Sequence, residues 1–352
     1  MQKNVNRQFR LKRRPVGRVT HADFDFADVP IPVPNDGEAV IRNLYLSLDP
    51  TNRIWMNDIP QYMPPVAIGE VMRGGGIGQV VASKTPLYKE GDLVTGLLNW
   101  QDYCLSTPAD TMRPNVLPTG LPIPLTTLLA ACGMTGITAY IGLLEFGKPK
   151  PGDTVVVSAA AGAVGSVVGQ IARIKGCRTV GIAGGAAKCR LIKEEFGFDE
   201  AVDYKAPDWR EQLIRATPNG IDVNFENVGG EIMEAILPRM NLYGRMPLCG
   251  MISGYNESKP YRVNFSPVLM RRIGVQGFII LDFAARYGEA SAQLAQWVLE
   301  GKVKSRETIV EGLENAPTAI NMLFDGGNIG KLILKIAEPA VADLGHDLLS
   351  PS

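Results

Sequence analysis

A turn rich in alanine and glycine offers the clearest chemistry in this 352-residue sequence. The segment AAAGAVG (Ala159–Gly165) lies between a strand-like run, TVVVS, and a helix-like run with apolar residues on one face. A helix that begins here directs N–H groups and the positive end of its dipole at an anion. Gly162 would let the backbone approach a phosphate, and Gly165 would let the helix pack closely on the strand, while Ala160 replaces the usual first glycine. We therefore expect a dinucleotide pyrophosphate at Ala161, Gly162, Ala163, Val164 and Gly165.

The following strand-like run, RTVGIA, ends without the acidic residue that normally binds the ribose 2′-hydroxyl of NADH. The chain continues with Gly184, Gly185, two alanines and Lys188. Glycines permit close approach, and an ammonium group supplies a point charge for a 2′-phosphate. A lysine at the start of a helix is often only solvated surface, but the missing acid favours Gly185 and Lys188 as NADPH-binding residues.

Histidine and cysteine are too scarce and too scattered for a zinc site. The chain has two histidines, His21 and His346, and five cysteines that form no CxxC pair. A zinc alcohol dehydrogenase needs a histidine ligand where this chain reads Gly69-Glu70-Val71. We expect no metal and no histidine acid–base relay. Widely spaced cysteines, odd in number, indicate a reducing compartment, and we expect a cytoplasmic protein.

Two regions that differ in composition and hydrophobic pattern must position these residues. The first 129 residues are rich in Pro and Gly and carry short strand-like runs, which predicts a small antiparallel barrel or sandwich. Beyond about residue 136, strand-like and helix-like runs alternate, which predicts a doubly wound parallel sheet. The sequence therefore predicts an α/β protein with a barrel domain over 1–129 and 308–352 and a nucleotide-binding domain over 130–307. The six predicted strands of the second domain are 154–158, 178–183, 201–204, 222–228, 244–250 and 273–281, with a long helix over 284–299.

The charge balance and the hydropathy pattern argue against nucleic acid and membranes as partners. Lys plus Arg and Asp plus Glu both number 36, so no electrostatic footprint for nucleic acid or an anionic membrane is present. Residues 114–144 carry no charge, but Pro and Gly interrupt them, so we expect a buried segment at a domain junction rather than a transmembrane helix.

Several motifs in order along nearly the whole chain carry a family resemblance. They are LYLSLDP (44–50), AAAGAVGSVVGQIARIKGC (159–177), FENVGG (225–230), CGMISGYN (249–256), WVLEGK (297–302) and GNIGK (327–331). The chain resembles the zinc-independent medium-chain dehydrogenases/reductases, and more closely their prostaglandin reductase / leukotriene B4 dehydrogenase / 2-alkenal reductase / curcumin reductase branch. This resemblance implies a GroES-like β-barrel substrate domain, a Rossmann domain, NADPH, reduction of a C=C bond conjugated to a carbonyl, and a homodimer.

The resemblance also implies roles for individual residues. Lys188 and Tyr204 would lie near the 2′-phosphate, and Asn227 beside the cofactor, although Asn227 could instead only form the turn before Gly229. Tyr255 would be catalytic, because it and the nicotinamide ribose 2′-hydroxyl would donate to the enolate oxygen formed when hydride reaches the β-carbon. The remaining expected cofactor contacts are Cys249, Gly250, Phe278, Ile279, Ile280 and, closing over the cofactor, Asn328.

One departure from the family concerns the substrate pocket. Members of the branch typically have Tyr and Met after the LSLDP motif, whereas this chain has Thr51 and Asn52. A smaller and more polar pocket follows, with Tyr62 still able to line it, while Trp55, Met56 and Trp100 could equally be pocket walls or core. Two rival functions stay open: a quinone oxidoreductase of the same superfamily, and a non-catalytic NADPH-binding protein.

Overall fold

The computed structural model describes residues 5–118, 120, 122–257 and 261–340, which form two compact units. The first unit lies within residues 1–129, 308–327 and 332–352, and the second comprises 130–307 and 328–331. Residues 328–331 thus group with the second unit, although the sequence analysis assigned them to the first domain.

Strands make up one small sheet and two larger ones. In chain order they are β1 (Val5–Leu11), β2 (Phe24–Pro30), β3 (Ala39–Leu48), β4 (Gly75–Ser83), β5 (Leu93–Leu97), β6 (Tyr103–Ser106), β7 (Asn115–Val116), β8 (Thr154–Ser158), β9 (Arg178–Ala183), β10 (Glu200–Asp203), β11 (Ile221–Phe225), β12 (Met240–Leu248), β13 (Gly274–Gly277), β14 (Glu307–Glu311) and β15 (Lys331–Lys335).

Helices connect most of these strands. They are α1 (Pro50–Trp55), α2 (Leu125–Leu129), α3 (Met134–Ile141), α4 (Ala163–Ile174), α5 (Ala186–Glu194), α6 (Trp209–Ala216), α7 (Gly230–Ile236), α8 (Ser266–Met270), α9 (Tyr287–Leu299), α10 (Ala316–Ala319) and α11 (Met322–Asp325).

The larger sheet of the first unit has the order β14-β15-β3-β4-β5-β7, with β6 also paired to β3, and the pairs from β15 to β7 are antiparallel. Its central strand β3 is buried along almost its whole length, as expected for a strand covered on both faces. The pairing of β15 with β3 places this C-terminal strand in the larger sheet of the first unit. Phe9, Trp100 and Leu332 belong to the core of this unit.

The sheet of the second unit is parallel and has the order β10-β9-β8-β11-β12-β13. Numbered from β8, this is the order 3-2-1-4-5-6 of a doubly wound nucleotide-binding sheet, so the predicted fold class is confirmed. Val155, Val156 and Val157 are fully buried, which explains why β8 reads as an unbroken apolar run. The order in which strands are added to the sheet reverses between β8 and β11, and ligands bind at such a switch point.

The sixth strand and the helix after it are shorter than the sequence predicts. Strand β13 ends at Gly277, whereas the apolar run predicted a strand to Leu281. The ring of Phe278 instead stacks on Phe146 at a centroid distance of 5.0 Å, and the chain turns into a 3-10 helix over Ile280–Arg286. Helix α9 consequently begins at Tyr287 rather than Ala284.

The uncharged segment contributes α2 and α3. Ile137, Ala139 and Ile141 on α3 are buried in the core of the second unit, which explains their apolar character. Among the residues that the structure describes, no helix is both long and apolar enough to cross a membrane.

Candidate active site

The turn between β8 and α4 has the geometry of a phosphate-binding turn. Gly162 is the N-cap of α4, and the helix extends for 12 residues from Ala163. A Cβ added at Gly165 would lie 2.4 Å from the carbonyl oxygen of Ala159, so no larger residue fits there. The strained residue of this turn is Ala159, with φ 52°, in the left-handed region that usually favours glycine. The turn therefore brings Ala161, Gly162, Ala163, Val164 and Gly165 together at one helix N-terminus.

The GNIGK segment packs directly against this turn, within the second unit. The N–H of Gly330 donates to the carbonyl oxygen of Ala161 at 2.7 Å, and Gly330 forms a parallel bridge with Gly162. The Asn328 side chain is 8% exposed, and its Nδ2 donates to the carbonyl oxygen of Gly330 at 2.9 Å. Asn328 thus lies beside the phosphate turn, held by a local hydrogen bond.

A second glycine turn follows β9. Gly185 has φ 96°, and its N–H donates to Oδ1 of Asp203 at 2.7 Å. The ring of Tyr204 lies over Gly184, where an added Cβ would be 2.9 Å from the ring and its hydroxyl. The carboxylate of Asp203, at the end of β10, thus accepts a backbone N–H group of this turn.

Two lysines lie close together at this turn. Burial and then the neighbouring ammonium of Lys205 lower the pKa of Lys188. Neighbouring cations repel each other, and an anion between Lys188 and Lys205 would relieve that repulsion. The sequence analysis missed Lys205, although it follows Tyr204 directly. Together, the helix N-terminus, the glycine turns and the paired lysines fit a dinucleotide that carries an additional 2′-phosphate.

A buried carboxylate organises the carboxyl ends of β8 and β11, and sequence reasoning missed it. Glu226 is fully buried, and its Oε1 accepts hydrogen bonds from the Ser158 hydroxyl at 2.8 Å and from the N–H groups of Val228 and Gly229 at 2.8 and 2.9 Å. Its Oε2 accepts a bond from Nδ2 of Asn224 at 2.8 Å. A buried carboxylate is stable when its lone pairs are used in this way.

Asn227 connects the same two strands. Its N–H donates to the Ser158 hydroxyl at 2.8 Å, and its Nδ2 donates to the Ser158 carbonyl oxygen at 2.7 Å. The Asn227 carbonyl oxygen also accepts the N–H of Ile252 at 3.1 Å. Asn227 therefore fixes the loop after β12 relative to the end of β8.

The loop after β12 carries Tyr255 above the strand end. The Tyr255 hydroxyl accepts the N–H of Met251 at 3.1 Å, and an added Cβ at Gly250 would lie 3.1 Å from that oxygen. A phenol oxygen that accepts one hydrogen bond can still donate its own proton. Burial raises the pKa of the neighbouring Cys249 thiol to about 12, so the thiol is protonated at neutral pH and is a poor nucleophile.

Part of the segment 278–280 is already used in contacts within the protein and is not available to a ligand. Phe278 packs on Phe146 and meets Phe225 edge-on, at a centroid distance of 6.3 Å. The carbonyl oxygen of Ile280 accepts the Tyr287 hydroxyl at 2.9 Å. Ile279 and the backbone are thus the parts of this segment that could contact a cofactor.

The predicted substrate residues lie in the first unit. The hydroxyls of Thr51 and Tyr62 are in contact. Asn52 is only 1% exposed; its Oδ1 accepts the N–H of Asp49 at 2.7 Å and its Nδ2 donates to the carbonyl oxygen of Arg73 at 3.1 Å. Asn52 therefore holds the backbone in place rather than presenting its amide. Of the residues left open by the sequence, Met56 and Trp100 are fully buried core.

The side chains that could bind a metal ion do not form a cluster within the described ranges. Within residues 5–118, 120, 122–257 and 261–340, no group of three or more His, Cys, Asp and Glu side chains could hold a metal ion.

Comparison with protein families gives two matches that cover most of the chain. A profile described as the N-terminal domain of oxidoreductase matches residues 7–113, and one described as zinc-binding dehydrogenase matches residues 163–297.

Relatives and solved structures match along almost the full length. The chain is 45% identical over 343 residues to NADPH-dependent curcumin reductase of Escherichia coli (strain K12), covering 96% of this chain and 98% of the relative. It is 40% identical over 338 residues to the 2-alkenal reductase (NADP(+)-dependent) of Nicotiana tabacum, covering 94% and 98%. The crystal structure of CurA in complex with NADPH from Vibrio vulnificus superimposes with a TM-score of 0.89 at 45% identity, covering 95% of this chain and 100% of that chain.

These matches agree with the motifs found in the sequence and with the strand order of the second unit. The chain belongs to the zinc-independent medium-chain dehydrogenase/reductase family, in the branch that contains the prostaglandin, 2-alkenal and curcumin reductases.

Proposed function

We propose that this protein is an NADPH-dependent reductase of the C=C bond of α,β-unsaturated ketones and aldehydes. The observation that carries the proposal is the position of the Tyr255 hydroxyl, which lies over Gly250 at the carboxyl end of the parallel sheet. A neutral hydrogen-bond donor fixed there suits a reaction that places negative charge on a carbonyl oxygen. The relatives described as curcumin and 2-alkenal reductases support the same chemistry.

In this proposal the second unit holds the cofactor. The backbone from Ala161 to Gly165 would bind the pyrophosphate, and Asn328 would cover it from the adjoining segment. Lys188 would bind the 2′-phosphate with Lys205 beside it, and Tyr204 and Gly185 would shape that end of the site. The structure bound to NADPH among the relatives supports this choice of cofactor. The other proposed contacts are Asn227, Cys249, Gly250, Phe278, Ile279 and Ile280.

Tyr255 is the proposed catalytic residue. The chemistry that bound NADPH supplies is hydride donation to the β-carbon of the unsaturated carbonyl compound, which leaves negative charge on the carbonyl oxygen. Tyr255 would hold that oxygen by donating its phenol proton in a hydrogen bond, while the N–H of Met251 orients the phenol. Glu226 and Ser158 act further away, because they fix the strand ends that carry these groups.

Thr51 and Tyr62 are the proposed substrate contacts of the first unit, with Asn52 fixing the chain between them and Arg73. Thr51 is shorter than the tyrosine typical of the family, so this surface is more polar but has more room than the sequence analysis expected. We propose small-molecule enones and enals as the substrates.

We also propose a homodimer in the cytoplasm. Strand β13 is an edge of the parallel sheet, and edge strands offer unpaired N–H and C=O groups to another chain. Exposed apolar side chains surround this edge: Leu242, Tyr243, Leu269 and Met270 are 56 to 72% exposed. All five cysteines are free thiols, which suits a reducing compartment.

Steady-state oxidation of NADPH with a panel of enals, enones and quinones tests the proposal. We expect turnover with enals and enones, a strong preference for NADPH over NADH, and loss of turnover in Tyr255→Phe. Turnover with quinones alone would favour a quinone oxidoreductase. NADPH binding without turnover of any compound would indicate a non-catalytic protein.

A further inference from the structure

Glu226 places a fully buried carboxylate at the carboxyl end of the parallel sheet. Its two oxygens accept four hydrogen bonds, from the Ser158 hydroxyl, from Nδ2 of Asn224 and from the N–H groups of Val228 and Gly229. A carboxyl group that only accepts hydrogen bonds has the pattern of the ionised form. The charge is therefore held in place by the dipoles around it.

Dipoles stabilise this charge, and no side-chain cation neutralises it. Within the part of the chain that the structure describes, Glu226 forms no ion pair. Val228 and Gly229 lead into α7, and the N-terminus of a helix favours a nearby carboxylate. Since a helix end supplies only roughly half an elementary charge, a net negative potential remains at this end of the sheet.

The residues after β12 lie within reach of that potential. The N–H groups of Cys249 and Gly250 donate to the backbone carbonyl oxygen of Glu226 at 2.9 and 3.2 Å. Burial raises the pKa of the Cys249 thiol to about 12, and the Glu226 carboxylate acts in the same direction. A negative charge at Glu226 therefore acts on groups at the end of β12 that it does not touch with its side chain.

The reacting ring of the cofactor belongs at the same strand end in the proposed function. The Tyr255 hydroxyl, which lies over Gly250, would hold the carbonyl oxygen of the compound that receives hydride. In that step a hydrogen leaves the reduced nicotinamide with its electron pair and bonds to the β-carbon, and the enolate then takes one proton from water. The ring changes from neutral to positively charged, and a fixed negative charge nearby favours that change.

We propose that Glu226 sets the redox preference of the cofactor site, because its buried charge stabilises NADP+ relative to NADPH and so promotes hydride donation. The inference rests on the proposed reductase function and adds an electrostatic role to a residue that also fixes the strand ends. Charges interact more strongly in a protein interior than in water, so Glu226 acts on the ring without contact.

Binding of the two cofactor forms in the absence of substrate tests this role. Dissociation constants for NADPH and NADP+ are measured by calorimetric titration of the wild type and of Glu226→Gln. We expect the ratio of Kd for NADP+ to Kd for NADPH to rise by about 10-fold in the variant, the size of a one-unit pKa shift caused by a neighbouring charge. This corresponds to a rise of about 30 mV in the potential of the bound couple.

The hydrogen bonds around Glu226 supply matched variants. Oδ1 of Asn224 is buried and has no donor among the described residues, so this amide can turn and accept the new Nε2 group of Glu226→Gln. Adding Asn224→Asp to Glu226→Gln returns a carboxylate to the same pair and should bring the ratio back toward wild type. Asp222→Asn is the control: Asp222 lies near the amino end of β11, where it accepts the N–H of Thr154 and Nδ2 of Asn241, each at 2.8 Å.

The outcomes separate a charge effect from a structural one. Equal weakening of both cofactor forms in Glu226→Gln would overturn the inference, as would a ratio that stays high after Asn224→Asp or that rises equally in Asp222→Asn. If Glu226→Gln does not fold, Glu226→Asn is compared with Glu226→Asp, and equal ratios would overturn it. Wild-type protein that binds neither cofactor form would overturn the proposed function itself, whereas wild-type enone reduction with an unchanged ratio in Glu226→Gln removes only the role of Glu226.

Discussion

Cofactor preference in this protein depends on charges that come from separate strands. Lys188 lies on α5 and Lys205 follows β10, and the parallel pairing of β9 with β10 brings them together. Asp203 lies between them in sequence, but its carboxylate accepts the N–H groups of Gly185 and Lys205 at 2.7 and 3.0 Å. Asp203 therefore fixes the backbone of the turn and of the residue that carries the second lysine.

Lys188→Ala should reduce the preference for NADPH over NADH by about 10- to 100-fold, as expected when a charge-assisted hydrogen bond to phosphate is lost. The ratio of the two kcat/KM values measures this preference. Lys193→Ala is the matched control, because Lys193 is also on α5 but pairs with Glu200 at 3.2 Å. An unchanged ratio in Lys188→Ala and in the double variant with Lys205→Ala would refute the assignment.

The lowered pKa of Lys188 predicts a pH dependence of cofactor binding. A lysine whose pKa is lowered loses its charge at a lower pH than a free lysine, so attraction to a 2′-phosphate declines earlier as pH rises through the alkaline range. The KM for NADPH should therefore rise with pH more steeply than the KM for NADH. Lys188→Arg should flatten this difference, since arginine stays charged. Parallel KM profiles for both cofactors would argue against the role of Lys188.

Tyr255→Phe should lower kcat by about 100-fold, the usual effect of removing one donor to a developing oxyanion. The KM for NADPH should change little. Tyr243→Phe removes a hydroxyl from a tyrosine that is 68% exposed on β12, and it should leave kcat unchanged. A kcat within a few-fold of wild type in Tyr255→Phe would remove this residue from the mechanism.

A functional residue could be predicted from the sequence when it belongs to a recognisable motif. It could not be predicted when only the fold brings it next to its partners. Lys188 was predictable because an acid is missing before it, whereas Lys205 depends on the pairing of β9 and β10. Glu226 gave a usable signal that the sequence analysis did not follow, since a carboxylate that directly follows a buried apolar run is seldom buried unless its oxygens are bonded.

At the scale of elements, the site depends on how closely α4 approaches β8. Gly165 sits where any side chain would contact the backbone of Ala159 and Ala160. The same contact keeps the helix N-terminus aligned with the strand end, where a pyrophosphate would bind. The absence of a Cβ at Gly165 therefore allows α4 to approach β8 this closely.

Gly165→Ala should therefore lower stability by about 1–3 kcal/mol, the usual cost of an overpacked contact, and raise the KM for NADPH. Denaturant unfolding and steady-state kinetics measure the two effects. Gly288→Ala provides the control, because an added Cβ meets no atom within 4 Å there and alanine favours the helix. Wild-type stability and KM in Gly165→Ala would show that the helix can move without consequence.

Elements of the second unit were predictable from hydrophobic periodicity, since β8 and β9 span the predicted residues. The end of β13 was not predictable. The run after Gly277 is as apolar as a buried strand, but the chain leaves the sheet where Phe278 packs against Phe146. Periodicity reports which residues are buried, and it does not distinguish a strand from a 3-10 segment in a short apolar run.

The whole molecule combines a parallel sheet that would hold the cofactor with an antiparallel unit that would select the substrate. The sequence predicted both architectures, because short strand-like runs separated by Pro and Gly indicate an antiparallel sheet, and alternating strand-like and helix-like runs indicate a parallel one. It did not predict that 328–331 joins the second unit, since that depends on the bond from Gly330 to Ala161. Long-range backbone pairing of this kind leaves no local pattern in the sequence.

The proposed dimer makes a prediction at this scale. Sedimentation velocity should give wild-type protein at twice the chain mass of 38.1 kDa. Replacing Leu269 and Met270 together by glutamate should give the monomer, because charges would then surround the β13 edge. Ile214→Glu, on the exposed face of α6, should stay dimeric. A monomeric wild type, or a dimer that survives both glutamates, would exclude this interface.

The central claim is that this protein reduces the C=C bond of an enone and leaves its carbonyl intact. The most direct test is to identify, by NMR, the product formed from a simple conjugated ketone as NADPH is consumed. We predict the saturated ketone, formed in proportion to the NADPH oxidised. An allylic alcohol, or no product while NADPH binds, would contradict the claim.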